Sequence, residues 1–169
     1  MTHTNKLPMF LLLSILIVWP APAEAQTPSG MSAMRYFVGT WACSAGTAKN
    51  QALYKIKISF EADTEIMREW DAVEIPGQTV PYSISKSIVW DAKNVRWVQT
   101  QVDNVGQWRV SYLKPWTGNT EEWLDQSSSD GKLGRDETVR TGVNDFAFNS
   151  YAVPSDQTAT IVGKCLRSR

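Results

Sequence analysis

The chain has 169 residues, and its 17 Lys and Arg balance 17 Asp and Glu, so its formal net charge at pH 7 is zero. A chain of this length builds one domain with a sizeable core and is too short for two comfortable ones. An evenly mixed, neutral chain lacks the basic clusters that nucleic acid or an anionic membrane surface requires. We therefore expect neither of these partners.

The first 25 residues have the three parts of a secretory signal peptide. Lys6 carries the positive charge, residues 9–19 form an apolar run too short to span a bilayer, and residues 23–25 read Ala-Glu-Ala. We place the cleavage after residue 25, with Ala-Pro-Ala at residues 21–23 as a second site. The run length disfavours the alternative, an uncleaved anchor. The pattern predicts export to the periplasm or the medium, with no membrane anchor after cleavage.

The only histidine, His3, lies inside the predicted signal peptide. The mature chain would then lack the usual general base, the commonest metal ligand and the usual proximal haem ligand. Ser-His-Asp and Cys-His catalysis are excluded, and no cofactor or metal is expected. An enzyme could instead use carboxylates, Tyr or Arg for catalysis. These residues do not have the spacing of a catalytic set in this sequence. We therefore favour a protein that is not an enzyme.

Two cysteines, Cys43 and Cys165, follow the predicted cleavage site. An even pair in an exported chain predicts a disulfide. Two ligands cannot form a structural zinc site by themselves, and a catalytic Cys without His would lack its usual activator.

Short β-like runs alternate with turn residues through most of the chain. The clearest run covers residues 51–60, where Tyr54, Ile56, Ile58 and Phe60 alternate with polar side chains. Ten strands are predicted, at residues 39–44, 51–60, 65–75, 82–90, 95–102, 108–112, 120–126, 135–141, 145–153 and 158–166.

Strands this short, without crossover helices, predict an all-β fold with an antiparallel, up-and-down order. A one-sided hydrophobic pattern repeated ten times is best buried by curling the sheet into a β-barrel, which also removes exposed edges. Cys43 and Cys165, in the first and last strands, would then meet at the seam, although a sandwich can also bring the termini together. We predict an N-terminal segment with a short helix at residues 26–36 and one barrel domain at residues 37–169.

The Gly-x-Trp at Gly39 and Trp41 resembles the motif that opens the first strand of lipocalin-like, or calycin, barrels. The chain is more closely similar to a family of exported bacterial lipocalin-like proteins of unassigned function. In that family we expect three further features. These are a Cys after the Trp, matched by Cys43, a Trp-x-Gly-x-Thr segment, matched by residues 116–120, and a late Cys, matched by Cys165. The resemblance implies that Trp41 plugs the closed end of the barrel and that Arg167 stacks on it, both in structural roles.

Nitrobindin-like haem barrels share this general architecture and bind iron through a histidine. Because the predicted mature chain has no histidine, that likeness implies the barrel fold but not haem binding.

Alternation along the strands suggests which side chains face the barrel lumen and contact a ligand. The predicted lumen residues are Tyr54, Ile56, Ile58, Arg68, Trp70, Trp90, Trp108 and Tyr112. An inward Arg68 would bind a carboxylate, whereas the adjacent Glu121 and Glu122 point to opposite faces and cannot converge. A lumen lined this way predicts a barrel that binds a small apolar or amphipathic molecule. The alternative is a lumen filled by Trp, in a structural or protein-interaction module with no small ligand.

Overall fold

The computed structural model describes Met31 and residues 34–47, 49–63 and 66–168. The predicted signal peptide lies outside these residues, as does most of the predicted short helix. In the part of the chain that is described, no helix is long and apolar enough to cross a membrane. The predicted all-β fold with ten strands is confirmed. The strands are β1 (Gly39–Thr47), β2 (Asn50–Ala62), β3 (Ile66–Glu74), β4 (Tyr82–Asp91), β5 (Arg96–Asp103), β6 (Trp108–Leu113), β7 (Thr120–Ser128), β8 (Arg135–Arg140), β9 (Asp145–Tyr151) and β10 (Ile161–Arg167).

The ten strands form one closed antiparallel barrel in which every strand pairs with its neighbours in the chain. β1 and β10 pair with each other and close the seam. Closure leaves no strand of the sheet with an unpaired edge, which is the aggregation hazard of open sheets. The predicted up-and-down barrel is therefore confirmed.

A disulfide joins Cys43 and Cys165 directly across the β1–β10 seam. The two residues are register partners, their Cα atoms are 4.0 Å apart, and 122 positions separate them in the chain. Both side chains are buried in the core. The bond therefore staples the first strand to the last, as predicted.

Aromatic side chains close one end of the barrel. Trp41 is fully buried, its Nε1 donates a 2.7 Å hydrogen bond to the Phe37 carbonyl oxygen, and its ring meets Phe146 edge-on with centroids 4.8 Å apart. The guanidinium of Arg167 lies 4.2 Å from the centroid of Trp41 and donates to the carbonyl oxygen of Val38 at 2.6 Å. These contacts tie the segment before β1 across the end of the barrel.

Gly39 gives Arg167 room to reach that position. It has a φ of +125°, which L side chains rarely adopt, and a Cβ there would lie 3.0 Å from an Arg167 terminal nitrogen. Both residues of the Gly-x-Trp motif therefore contribute to the closed end. Gly39 leaves space for the Arg167 guanidinium, and the Trp41 ring packs against it.

Removing the disulfide should lower stability while leaving the fold intact. The double variant Cys43→Ser/Cys165→Ser should lose about 2–5 kcal/mol of unfolding free energy, because the bond restrains most of the unfolded chain. Urea denaturation followed by circular dichroism measures the loss. Reductant should lower the wild-type midpoint and leave that of the variant unchanged. Equal midpoints for the oxidised wild type and the variant would contradict the pairing.

Truncating the aromatic plug should be more damaging than truncating an outward apolar residue. Trp41→Ala should cost about 3–5 kcal/mol, the range for removing a buried large aromatic side chain. Leu166→Ala on β10 is the matched control, because Leu166 is 64% exposed, and it should change stability by no more than about 0.5 kcal/mol. A loss below about 1 kcal/mol for Trp41→Ala would show that the end of the barrel does not depend on it.

Candidate functional site

The barrel encloses a cavity of about 400 Å³ that runs along its interior. Met34 and Phe37 line it beside the closed end, and Tyr82 and Thr160 line it near the opposite end. The volume lies within the range of about 300–1,000 Å³ that small-molecule sites occupy. The lumen is therefore large enough for a small organic ligand.

One wall of the cavity is apolar. Its side chains come from β2, β9 and β10, the strands on either side of the seam strand β1. They include Ile56, Ile58, Phe146, Phe148 and Ile161. The Phe148 ring lies over Gly163 of β10, where a Cβ would approach it to 2.2 Å, so a side chain at this position would displace the ring.

The facing wall, from β3 to β8, holds every charged side chain of the described lining, and we call it the polar wall; Met67, Ile84 and Ile88 line it between the charged groups. Lys86 of β4 lies at its centre, opposite its register partner Glu69 of β3. The Lys86 Nζ is 2.5 Å from Glu69 Oε1 and 3.2 Å from Asp71 Oδ2. Glu69 and Asp71 alternate with outward residues on β3, so both carboxylates face the lumen and share one ammonium.

The protonation of this cluster follows from burial and from its three charges. Burial raises the pKa of Glu69 to about 8; Lys86 opposes the shift and Asp71 adds to it. Burial alone would lower the pKa of Lys86, but the charges of Asp71 and Glu69 outweigh it and raise that pKa above its usual value. Lys86 is therefore a cation at neutral pH, and Glu69 is the carboxyl that takes up a proton.

One acceptor in the cluster has no partner. Asp71 Oδ1 is buried and receives no hydrogen bond from a nitrogen or hydroxyl donor of the described residues, while Asp71 Oδ2 is held by Lys86; the only other group that Asp71 meets in the cluster is the neighbouring carboxyl of Glu69. An unsatisfied buried acceptor is costly, and native structures rarely retain one without a reason. Asp136 of β8 also lines the cavity, forms no ion pair among the described residues, and contributes its negative charge to the raised pKa of Lys86.

Two other lumen charges are neutralised by neighbouring side chains. Arg109 of β6 lies 3.3 Å from Asp125 Oδ2, and Asp125 also accepts a 2.7 Å hydrogen bond from the Ser111 hydroxyl. Arg140 donates a 3.0 Å hydrogen bond to Glu121 Oε1. Burial raises the pKa of Glu121 to about 7, while Arg140 opposes the shift.

Some of the residues predicted to face the lumen do so. Ile56 and Ile58 line the cavity. Tyr54 lies on the same face of β2, opposite Ala45 of β1, but does not line the cavity. Trp90 packs against the core and meets Trp97 edge-on, with centroids 5.3 Å apart. Whether any of them contacts a ligand stays a prediction.

The inward orientation predicted for four other residues is wrong. Trp70 is 39% exposed and Trp108 is 44% exposed, both on the outside of the barrel. Arg68 is also outside, 3.7 Å from Asp63, so it offers no cation to a ligand in the lumen. Tyr112 is half-buried beneath the guanidinium of Arg96, 4.8 Å away. The inward face of β3 mixes Glu69 and Asp71 with Met67 and Val73, and that of β6 places Arg109 and Ser111 beside Leu113, so hydrophobicity alone does not mark the inner face there.

Sequence reasoning missed most of the polar wall. The residues it did not assign to the lumen include Glu69, Asp71, Lys86, Gln99, Arg109 and Asp136. Lys86 gave a usable signal, because it interrupts an otherwise apolar face of β4 and an inward Lys requires a carboxylate nearby. The predicted divergence of Glu121 and Glu122 is observed, since Glu121 is buried and Glu122 is partly exposed.

Comparisons with known proteins support the barrel fold and do not support a family or a function. No protein-family model matches the chain, and neither does any curated protein. The chain is similar to the crystal structure of Rv2717c from M. tuberculosis, with 13% identity and a TM-score of 0.59, over 84% of this chain and 98% of that chain. A likeness at this identity shows a shared barrel. It does not extend to the lipocalin or calycin families.

The buried carboxyls should make the protein less stable as the pH rises from about 5 to 8. Their folded pKa values, about 8 for Glu69 and about 7 for Glu121, exceed the ordinary 4.5. The folded state then binds more protons than the unfolded state, so this stabilisation is complete below the unfolded value and is lost as pH rises through the folded values. Each group contributes a slope of up to about 1.4 kcal/mol per pH unit.

Urea denaturation at pH 5, 6, 7 and 8 measures this dependence. Glu69→Gln should flatten it, whereas Glu74→Gln, on the exposed face of the same strand, should leave it as in the wild type. A Glu69→Gln variant with the wild-type pH dependence would show that Glu69 titrates normally in the folded protein.

Proposed function

We propose that this protein is an exported, lipocalin-like barrel that binds a small amphipathic organic molecule in its lumen and catalyses no reaction. The observation that carries the proposal is a cavity of about 400 Å³ with one apolar and one polar wall. An apolar site with a few convergent polar groups is the usual form of a small-molecule pocket. The apolar wall would hold the body of the ligand, and the polar wall would orient its head.

The location proposed for this activity is the periplasm or the medium. A disulfide such as Cys43–Cys165 persists in oxidising compartments and is rare in the cytosol. It supports the export that the signal-peptide pattern of residues 1–25 predicts. A binding barrel outside the cytoplasm would meet its ligand in solution or at an envelope surface.

The alternative function, a filled barrel that serves as a structural or protein-interaction module, requires side chains to occupy the lumen. The cavity favours the binding barrel over this alternative. Trp41, Trp97 and Trp123 are buried in the core, but they leave the cavity open, and Trp70 and Trp108 lie outside.

Isothermal titration calorimetry with three ten-carbon compounds tests the proposal: decanol, decanoate and decylamine. At least one should bind saturably with a stoichiometry near one. The variant Ile84→Trp should weaken that binding by at least about tenfold, because Ile84 lines the cavity and a larger side chain would occupy ligand space.

Ser85→Trp is the matched control, since Ser85 is the next residue on β4 and faces outward. It should bind as the wild type does. If none of the three compounds binds, or if both variants weaken binding equally, the lumen is not the site.

A further inference from the structure

The lumen carries more negative than positive charge. Its lining contains the carboxylates of Glu69, Asp71, Glu121 and Asp136 and the cations of Lys86 and Arg109. Arg109 is paired with Asp125, and Glu121 with Arg140. The remaining lining charges are those of Glu69, Asp71 and Asp136 against that of Lys86, so three negative charges face one positive charge.

Protonation of Glu69 reduces this excess without removing it. With Glu69 neutral, Asp71 and Asp136 still face one ammonium, which leaves one uncompensated negative charge in the lumen. An isolated charge in a low-dielectric interior is unfavourable unless a counter-charge or hydrogen bonds offset it. The lumen therefore presents an incomplete ion pair.

The unpartnered oxygen of Asp71 shows where a partner would fit. Asp71 is 7% exposed, lines the cavity, and has its Oδ1 without a hydrogen bond among the described residues. Lys86 already occupies Oδ2 at 3.2 Å. A donor entering the lumen would complete the hydrogen bonds of this carboxylate and supply the missing positive charge.

We infer that the lumen selects ligands carrying a protonated primary amine, with the ammonium bound to Asp71 Oδ1, near Asp136, and the apolar body against Ile56, Ile58 and Phe148. This inference rests on the proposed function, because it names the chemical class of ligand for the same cavity.

The same arrangement disfavours other ligand heads. A carboxylate would add negative charge beside Asp71 and Asp136 and would have to displace Glu69 from Lys86. A neutral alcohol can donate to Asp71 Oδ1 but leaves the excess charge uncompensated. A bare metal ion lacks ligands, because no group of three or more His, Cys, Asp or Glu among the described residues could hold one.

The test compares ligands that have the same ten-carbon chain and different head groups. Calorimetric titration of the wild type at pH 7 should show decylamine binding at least about tenfold more tightly than decanol, the effect of one charge-assisted hydrogen bond, with decanoate the weakest. Equal affinities for the amine and the alcohol, or tightest binding of decanoate, would overturn the inference while leaving the proposed function standing. Failure of all three to bind would instead refute the proposed function.

Two substitutions on β3 locate the selectivity. Asp71→Asn keeps the shape of the side chain, removes the charge, and should abolish the preference for decylamine over decanol without weakening decanol. Glu74→Gln removes a carboxylate from the outer face of the same strand and should preserve the preference. A preference that survives Asp71→Asn would place the amine elsewhere and overturn the assignment.

Asp136→Asn is a second, independent variant on β8, should the first fail to fold. It should reduce the preference for the amine, because Asp136 supplies part of the excess negative charge. Thermal melting of each variant confirms that it is folded before titration. An unchanged ratio of amine to alcohol affinity in a folded Asp136→Asn protein would contradict the charge count.

Discussion

The rest of the structure depends on the pairing of β1 with β10. These strands lie at opposite ends of the described chain, and their pairing turns a ten-strand meander into a closed barrel with an interior. The Cys43–Cys165 bond lies within this pairing and points into the core, so it restrains the seam from the inside. Joining residues so far apart in sequence is entropically costly, and a covalent link reduces that cost by restricting the unfolded chain.

Closure also imposes an electrostatic constraint on the interior. Glu69, Asp71 and Lys86 share a space that water reaches poorly, and each would be unstable there alone. Replacing such a group with well-packed apolar residues is often neutral or stabilising, so a buried charge cluster contributes little to stability by itself. Under the proposed function, the cluster beside the cavity would serve to recognise a ligand, because perturbed groups concentrate at functional sites.

The fold could be predicted from the sequence, but only half of the site could. Period-two alternation in β2 placed Ile56 and Ile58 inward, and turn residues marked all ten strands, because these signals are local. On β3 the same reasoning chose Arg68 and Trp70, since it assumes an apolar interior. In this barrel Glu69 and Asp71 face inward because Lys86, across the strand pair, compensates their charge, and that compensation appears only after folding.

The two walls of the lumen have a simple origin in the order of the chain. The strands near the two ends of the barrel sequence, β2, β9 and β10, contribute no charged side chain to the described lining. The strands in its middle, β3 to β8, contribute all of the charged side chains, together with apolar ones such as Ile84 and Ile88. In an open meander the apolar faces of β2, β9 and β10 would lie at opposite edges of the sheet. Pairing of β1 with β10 brings them together into one continuous surface opposite Lys86 and Asp136. The amphipathic character of the site is therefore a product of closure: the seam that completes the barrel also completes the apolar half of the cavity.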